Sequence, residues 1–498
     1  MNLFDRALAA VSPELGLRRA RARAGIAAHE RVAQMNYDAA TPGRRASSLR
    51  ANAGDADLAA ARRARLAYIS RDMIRNSPFA VRAQTVIANN VVGDGIVPGI
   101  VGSARAKKRG MELIRAHLDT VAIDADGLNN LYGLQRLAMN CIVDSGEVLI
   151  RRRRRRLSDG LPMPFQIQVM EPDFLDTRFD GRTPAGNTVR EGIEYDDLGR
   201  RVAYHLFRHH PGAVGRFGAF LSPESRRVPA SEVLHVFRQD RPGQMRGVSW
   251  YAPVALKLQD NDDHLDAQLM RQKIAACFAA FIYADDPDEA LEDQVGATLA
   301  PGAIQTIGTG KKIEFSKPPG VEGFDAFTAT VLRSIAAGMG ITYESLVGDL
   351  SQVNYSSARM GRLEMDRNVS SWQWLMMIPR MMAPFAGWFL EAWEALEERP
   401  LPAGVGLTWT PPRRVIVDPS KEIKAMGEEV RHGFRSRQAV VRSLGYDPEE
   451  VDREIAEDNA RADELGLVLD SDPRKGKAGA EPAAAAAPAA EDGSGSTD

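Results

Sequence analysis

The chain of 498 residues contains two cysteines, Cys141 and Cys277. That excludes a disulfide scaffold and a four-cysteine zinc site, and it fits a reducing compartment. Neither sign of charge is in excess: 64 Lys+Arg face 66 Asp+Glu, a formal net charge of -2. A protein held on DNA by bulk electrostatics is excluded on that ground. The N-terminus lacks a basic region followed by an apolar core, so no secretory signal is read there. One apolar run, residues 372–390, has about the length a bilayer needs, but Arg380 sits inside it between Pro379 and Pro384. A central charge costs about 2.5–3.5 kcal/mol on insertion scales, and the prolines interrupt the helix. The run reads as a buried, kinked helix pair.

Catalytic and nucleotide motifs are missing as well. The nearest approach to a phosphate-cradling loop, Gly308-Thr309-Gly310-Lys311-Lys312, has Gln305 where the first glycine belongs and Lys312 where the hydroxyl belongs. Gly93-Asp94-Gly95 opens like a dinucleotide fingerprint, but Pro98 replaces its third glycine, which leaves a tight turn. Asp260, Asp262, Asp263 and Asp266 surround His264, with Leu265 at the position where a calcium loop needs glycine. They read as a solvated or inter-subunit helix face. His205, His209 and His210 lie on or beside a strand with no spaced carboxylate partner. No catalytic site, metal site or cofactor is expected.

What is present is an apolar fraction of 44% and a charged fraction of 26%, enough for two to four domains with cores of their own. Helices are expected over 59–76, 79–90 and 128–145, and strands over 147–156, 165–170, 191–195, 202–209 and 232–237. Residues 60–245 therefore form a mixed α+β domain. Ser249 caps a long helix from near Trp250, some thirty residues and ~50 Å of rod. An insert with two short strands follows, then a helix over 324–339 and a polar loop over 348–355. A long helix kinked at its prolines runs from 356 to 398. Residues 418–464 are helical and charged, and the Ala/Pro/Gly/Ser tail from 471 cannot bury a core. The six consecutive arginines, Arg151–Arg156, lie in a hairpin strand whose alternate residues face opposite sides. They read as an exposed or inter-subunit surface in preference to a DNA contact.

Nine segments, in order, resemble the lambda-type family of tailed-phage portal proteins. They begin with Asn89-Asn90-Val91-Val92-Gly93-Asp94-Gly95-Ile96, Ser145-Gly146-Glu147-Val148 and Met170-Glu171-Pro172-Asp173. Gly192-Ile193-Glu194-Tyr195-Asp196 with Gly199-Arg200 follows, then His235-Val236-Phe237 with Arg241-Pro242-Gly243-Gln244-Met245-Arg246-Gly247-Val248-Ser249. Ile335-Ala336-Ala337-Gly338-Met339-Gly340 with Tyr343-Glu344, Gly348-Asp349, Asn354-Tyr355-Ser356-Ser357-Ala358-Arg359 and Asp418-Pro419 complete the series. Each piece alone is weak; the order is what carries the resemblance.

The resemblance implies an α+β phage portal fold with a wing, long stem helices, a small β-containing clip and a helical crown. On that plan 1–58 is an N-terminal arm, 59–248 the wing, 249–283 a stem helix, 284–322 the clip and 323–341 the second stem helix. Residues 342–356 are then the tunnel-loop region, 357–416 the kinked spine helix, 417–470 the crown and 471–498 a disordered tail. It also implies a ring of about twelve copies at one capsid vertex of the virion, assembled in the bacterial host cytoplasm, through which double-stranded DNA is packaged and ejected. Implied partners are the major capsid protein, the terminase large subunit and a head–tail adaptor, with no membrane. Ser351, Gln352, Val353, Asn354 and Tyr355 would face DNA in the channel. Lys311, Lys312, Lys317, Arg359 and Arg362 would supply modest contacts to DNA or partners, or are ordinary solvated residues. Another head–tail connector, or a DNA-packaging enzyme, is the alternative reading.

Overall fold

The computed structural model describes residues 14, 22, 60–213, 224–276, 280–284, 311–315, 324–351, 354–412, 419–446, 448–467 and 469. The chain divides into two units, residues 1–58 and 59–498. The architecture below is that of the second. The helix expected over 1–35, Cys277, most of the insert and the tail from 471 lie outside the described residues.

Helix α1 (Ala60–Asn76) stops at Ser77, because the residue before a proline is pushed out of helical geometry. Pro78 then opens α2 (Pro78–Val91), where its missing N–H costs nothing. The turn at Gly93 and Gly95, both at positive φ, leads into β1 (Val97–Val101). After α3 (Ala104–Leu113), Asn130 caps α4 (Leu131–Ser145) by accepting from the Gly133 N–H at 2.9 Å.

Strands β2 (Glu147–Arg154) and β3 (Phe165–Met170) form the expected hairpin. The next five strands, β4 (Gly181–Arg182), β5 (Thr188–Arg190), β6 (Ile193–Tyr195), β7 (Arg201–Phe207) and β8 (Ser225–Pro229), make an antiparallel meander. Strand β9 (Val233–Phe237) returns to pair with β2, giving a three-stranded sheet ordered β3-β2-β9.

The two faces of β2 have different fates, as period-2 alternation requires. Val148 and Ile150 join the main core with α2, α4 and the helices that follow, whereas Leu149 packs with Tyr204, Leu206 and Val228 of the meander. The alternation continues into the arginines. Arg152 is buried, bonded to Glu391 and lying 5.9 Å from the Trp388 ring centroid, so this member of the run is not the surface residue expected. Its face points into the core, and a buried guanidinium persists there because a carboxylate meets it. Arg154 bonds Glu232 at 2.8 Å and Glu391 at 2.8 Å.

Helix α5 (Ala255–Ala276) starts five residues later than the sequence suggested. Trp250 and Tyr251 are fully buried; Tyr251 Oη donates to the Ala80 carbonyl at 2.7 Å, and the Trp250 ring lies tilted against Trp372 with centroids 4.8 Å apart. Holding both rings inside fixes tight turns over 250–254, with Val254 N–H bonding the Tyr251 carbonyl at 2.9 Å. Ser249 accepts from Tyr251 N–H within that turn and does not cap the helix. The helix described is 22 residues long, about 33 Å. Strand β10 (Ala280–Ala284), made of residues that the sequence analysis had assigned to the helix, pairs antiparallel with β11 (Lys311–Phe315). The Phe-Ile-Tyr centre of β10 suits a ladder better than a helix end.

Beyond the insert come α6 (Phe324–Met339), short α7 (Tyr343–Val347) and α8 (Tyr355–Trp372). From Gln373 to Met382 the rod widens into a π-helix before α9 (Ala383–Glu397). The widening answers Pro379, which has no N–H to give and would clash in an α turn; Ala383 N–H bonds Ile378 instead. Met376, Met377, Met381 and Met382 are core residues. No helix among the described residues is long and apolar enough to cross a membrane. Strand β12 (Gly406–Thr410), which the sequence analysis missed, pairs with β1 from some 300 residues away. Helices α10 (Pro419–Arg431), α11 (Arg437–Ser443) and α12 (Pro448–Leu465) close the described chain.

Candidate functional site

Residues scattered over the sequence converge on one buried charge cluster beside the start of α5. Gly146 ends α4 in the left-handed region at φ +89, donating to the Ile142 carbonyl. A side chain there would place Cβ 2.2 Å from the Val248 carbonyl carbon, and one at Gly247 would place it 2.1 Å from the Gly146 oxygen. Two glycines thus let two backbones touch. The contact delivers Gly247 N–H to Glu147 Oε2 at 2.8 Å, and Arg246 Nε to the same carboxylate at 2.8 and 3.0 Å. Arg246 Nη2 also reaches Glu147, while Nη1 bonds Glu191 at 2.9 Å.

His235 on β9 completes the cluster, its Nε2 lying 2.8 Å from Glu147 Oε2. Burial opposes ionisation of Glu147, but the Arg246 charge and the His235 hydrogen bond outweigh it and hold the carboxyl well below the usual range. Burial pulls His235 down to about 4 despite the carboxylate beside it. The ring is therefore neutral at pH 7, with Nε2–H donating to Glu147 and Nδ1 unpartnered among the described residues.

A second cluster staples α1 to the end of α4 and the turn after β3. Arg71 Nη2 donates to Asp173 at 2.6 Å and to Ser145 Oγ at 2.8 Å, with Glu171 at 3.6 Å and Asp144 at 3.9 Å. Burial lifts the Asp144 carboxyl to about 7, with the neighbouring carboxylates adding to it against Arg71 and Ser145. His210 lies 3.0 Å from Glu171, so this histidine does have the carboxylate partner that spacing alone did not reveal. Glu171, Asp173 and His210 each offer a ligand atom within 4.8 Å of the others. Arg71 already supplies the positive charge there, and the group is explained without a cation.

The polar loop hangs from a well-braced corner. Gly338 of α6 touches Val254, to whose Cγ1 an added Cβ would come within 2.3 Å. Gly340 turns the chain at φ +71, and Asn368 of α8 donates to its carbonyl at 3.0 Å. Thr342 caps α7 by accepting from Ser345 N–H at 3.1 Å, and Arg82 of α2 bonds the Ser345 carbonyl at 3.0 Å. Gly348 ends α7 at φ +80. Asp349 then accepts from Ser351 N–H at 2.9 Å, an Asx turn, and its carboxyl is lowered by the bonds from Ser351.

Of the residues singled out from sequence, Ser351 and Asn354 are exposed on this loop, and Tyr355 opens α8. Gln352, Val353 and Lys317 lie outside the described residues. Arg359 is exposed on the first turns of α8, whereas Arg362 is tied to Asp366 at 3.0 Å on the same helix. Lys311 and Lys312 stand on a separate hairpin, opposite Ala284 and Tyr283. Helices α5 and α6, which bracket that hairpin, pack through His264, whose ring lies 5.7 Å from Phe324 and 4.9 Å from Phe327.

The polar pairings that hold this corner were not read from sequence. Glu147, Asp173, His235, Arg246 and Gly247 all lie in the quoted segments, which was the available signal, and Glu191 stands one residue before another; nothing in their spacing says that they meet.

Residues 42–373, which run from before the first described helix through the α+β body, both bracketing helices and the loop into α8, match the family described as phage portal protein, lambda family. The chain belongs to that family. It is 27% identical over 451 residues to the probable portal protein of Halomonas phage phiHAP-1, covering 84% of each chain. To portal protein B of Escherichia phage lambda it is 22% identical over 346 residues, covering 61% of this chain and 63% of the relative. A chain from the neck of an empty gene transfer agent particle, computed with C6 symmetry, aligns with a TM-score of 0.45 and 16% identity. That alignment covers 81% of this chain and 97% of that one.

Proposed function

We propose that copies of this portal protein close into a ring of about twelve at one capsid vertex, forming the channel through which double-stranded DNA is packaged and later ejected. The observation that carries this reading is the family match over residues 42–373, which spans the body, the bracketing helices and the loop. The ring is the docking platform for the terminase large subunit and the head–tail adaptor, sits against the major capsid protein, and is assembled in the bacterial host cytoplasm. Its role is structural, with no catalytic step and no cofactor.

In this reading the body from residue 59 is the wing, α5 and α6 the stem, the insert between them with its β10–β11 hairpin the clip, 342–356 the tunnel-loop region, 357–416 the spine and 417–470 the crown. Ser351, Gln352, Val353, Asn354 and Tyr355 face the DNA. The physics suits a conduit: each neutralised phosphate steepens salt-dependent binding, so a strongly basic lining would grip what must slide. The near-neutral chain and its polar loop meet that need. Arg359 is better placed for a ring-multiplied DNA contact than Arg362, whose charge is already committed to Asp366. Lys311, Lys312 and Lys317 belong to the end that docks partners.

Native mass spectrometry with two-dimensional electron-microscopy classes tests the reading. Rings of about twelve or thirteen subunits with a central hole are expected. A stable monomer or dimer at every concentration and salt would overturn it.

A further inference from the structure

The arginine run splits between the two faces of β2, and only one face is neutralised. Arg152 and Arg154 meet Glu391 and Glu232. On the opposite face, Arg151, Arg153 and the next residue in alternation, Arg155, form no ion pair among the described residues, and neither does exposed Arg226 on β8. Glu232, whose field reaches Arg151, is already bonded to Arg154. Arg151 Nε has no hydrogen-bond partner among the described residues.

Neutral amides hold the other two in place. Arg153 donates through Nε and Nη2 to Gln168 Oε1, and Arg155 through Nε to Gln166 Oε1 at 2.8 Å. Gln166 is itself fixed, its Nε2 donating to the carbonyls of Ala122 at 2.9 Å and Asp124 at 2.8 Å. These contacts orient the guanidinium groups without cancelling their charge. Burial, and then repulsion from Arg151 and Arg155, lowers Arg153, and the field of Asp126 offsets this only in part, so the row works against itself in the isolated chain. Alternate strand residues recur about every 7 Å, which makes this a linear array of aimed cations with no ion pair of their own among the described residues.

From this we infer that the Arg151–Arg153–Arg155 row is a phosphate-binding face for double-stranded DNA, on the β2–β3 hairpin and separate from the proposed channel loop. Guanidinium forks match phosphate oxygens, and a linear polyanion supplies charges along the row. The choice of DNA as the polyanion rests on the portal reading above.

The test uses purified assembled protein and a 30-base-pair duplex of arbitrary sequence. Fluorescence anisotropy is followed from 50 to 200 mM salt. The triple variant Arg151→Gln/Arg153→Gln/Arg155→Gln should flatten the slope of log K against log salt by about 2.7, three contacts at about 0.9 each. The triple lysine variant should keep the slope, and Arg200→Gln, which removes an arginine paired with Asp196, should leave it unchanged. An unchanged slope in the glutamine variant overturns the inference. So does a glutamine variant that no longer assembles while exposed Arg155→Gln alone assembles with an unaltered slope, because the row would then be a subunit contact. Absence of rings in the wild type would instead count against the portal reading, which the ring measurement decides separately.

Discussion

Replacing Glu147 by glutamine should be among the most damaging single-atom-scale changes in the wing. The carboxylate receives Arg246, the Gly247 N–H and His235, and the side chains of Glu147, Arg246 and His235 are all buried. Glutamine keeps the shape but removes the charge, leaving Arg246 with Glu191 alone. Breaking a buried ion pair from one side costs about 3–5 kcal/mol, because the surviving charge remains out of water. At about 2–4 °C per kcal/mol for a domain of this size, the midpoint should fall by about 6–20 °C. Thermal unfolding of the purified protein at pH 7.5, followed by intrinsic fluorescence, reads this directly. The double variant Glu147→Met/Arg246→Met should be less damaging than Glu147→Gln, since it leaves no orphaned guanidinium. A Glu147→Gln midpoint within 2 °C of wild type would refute the reasoning, as would a double variant that is the worse of the two.

Three other outcomes are expected. His117 and His235 are buried and pulled down to about 4, so the native state resists protons that the unfolded chain takes up below about 6.5; acidification from pH 7 to 4 should remove about 6 kcal/mol through this pair. Asp144, raised to about 7, acts in the opposite sense and returns about 3 kcal/mol over the same window. Asp144→Asn should therefore steepen the acid-side loss of stability in denaturant titrations at pH 7, 5.5 and 4.5, and an unaltered or shallower dependence would contradict the assignment. Gly338→Ala should cost about 1–3 kcal/mol through its collision with Val254 Cγ1, and Val254→Ala should relieve part of that cost in a double-mutant cycle; additive effects would deny the contact. Asn354→Ala/Tyr355→Ala should leave the melting midpoint of the body unchanged while altering DNA retention in filled particles, and equal retention would remove the loop from the channel.

The sequence by itself determined the family and most of the helices and principal strands of the body, in order. Local chemistry was sufficient there: Ser77-Pro78 stops one helix and starts the next, the 165–170 alternation sets a strand, and Phe324–Met339 carries a helical period bounded by breakers. The ordered segments pointed to a portal because they preserve motif identity without requiring any knowledge of contact. Tertiary structure decided what pairs with what. Strand β12 exists because β1 offers it a ladder, and α5 starts at Ala255 because Trp250 and Tyr251 are claimed by the core. The same holds for charge. Six identical arginines are indistinguishable in sequence, yet one is buried on Glu391 and three form no ion pair among the described residues. Period-2 alternation told which arginines share a face; only packing against α9 and the meander told which face meets acids. Glu147 lies some ninety residues before His235 and further still before Arg246, so their meeting is written in the close approach of Gly146 and Gly247 and in no local pattern.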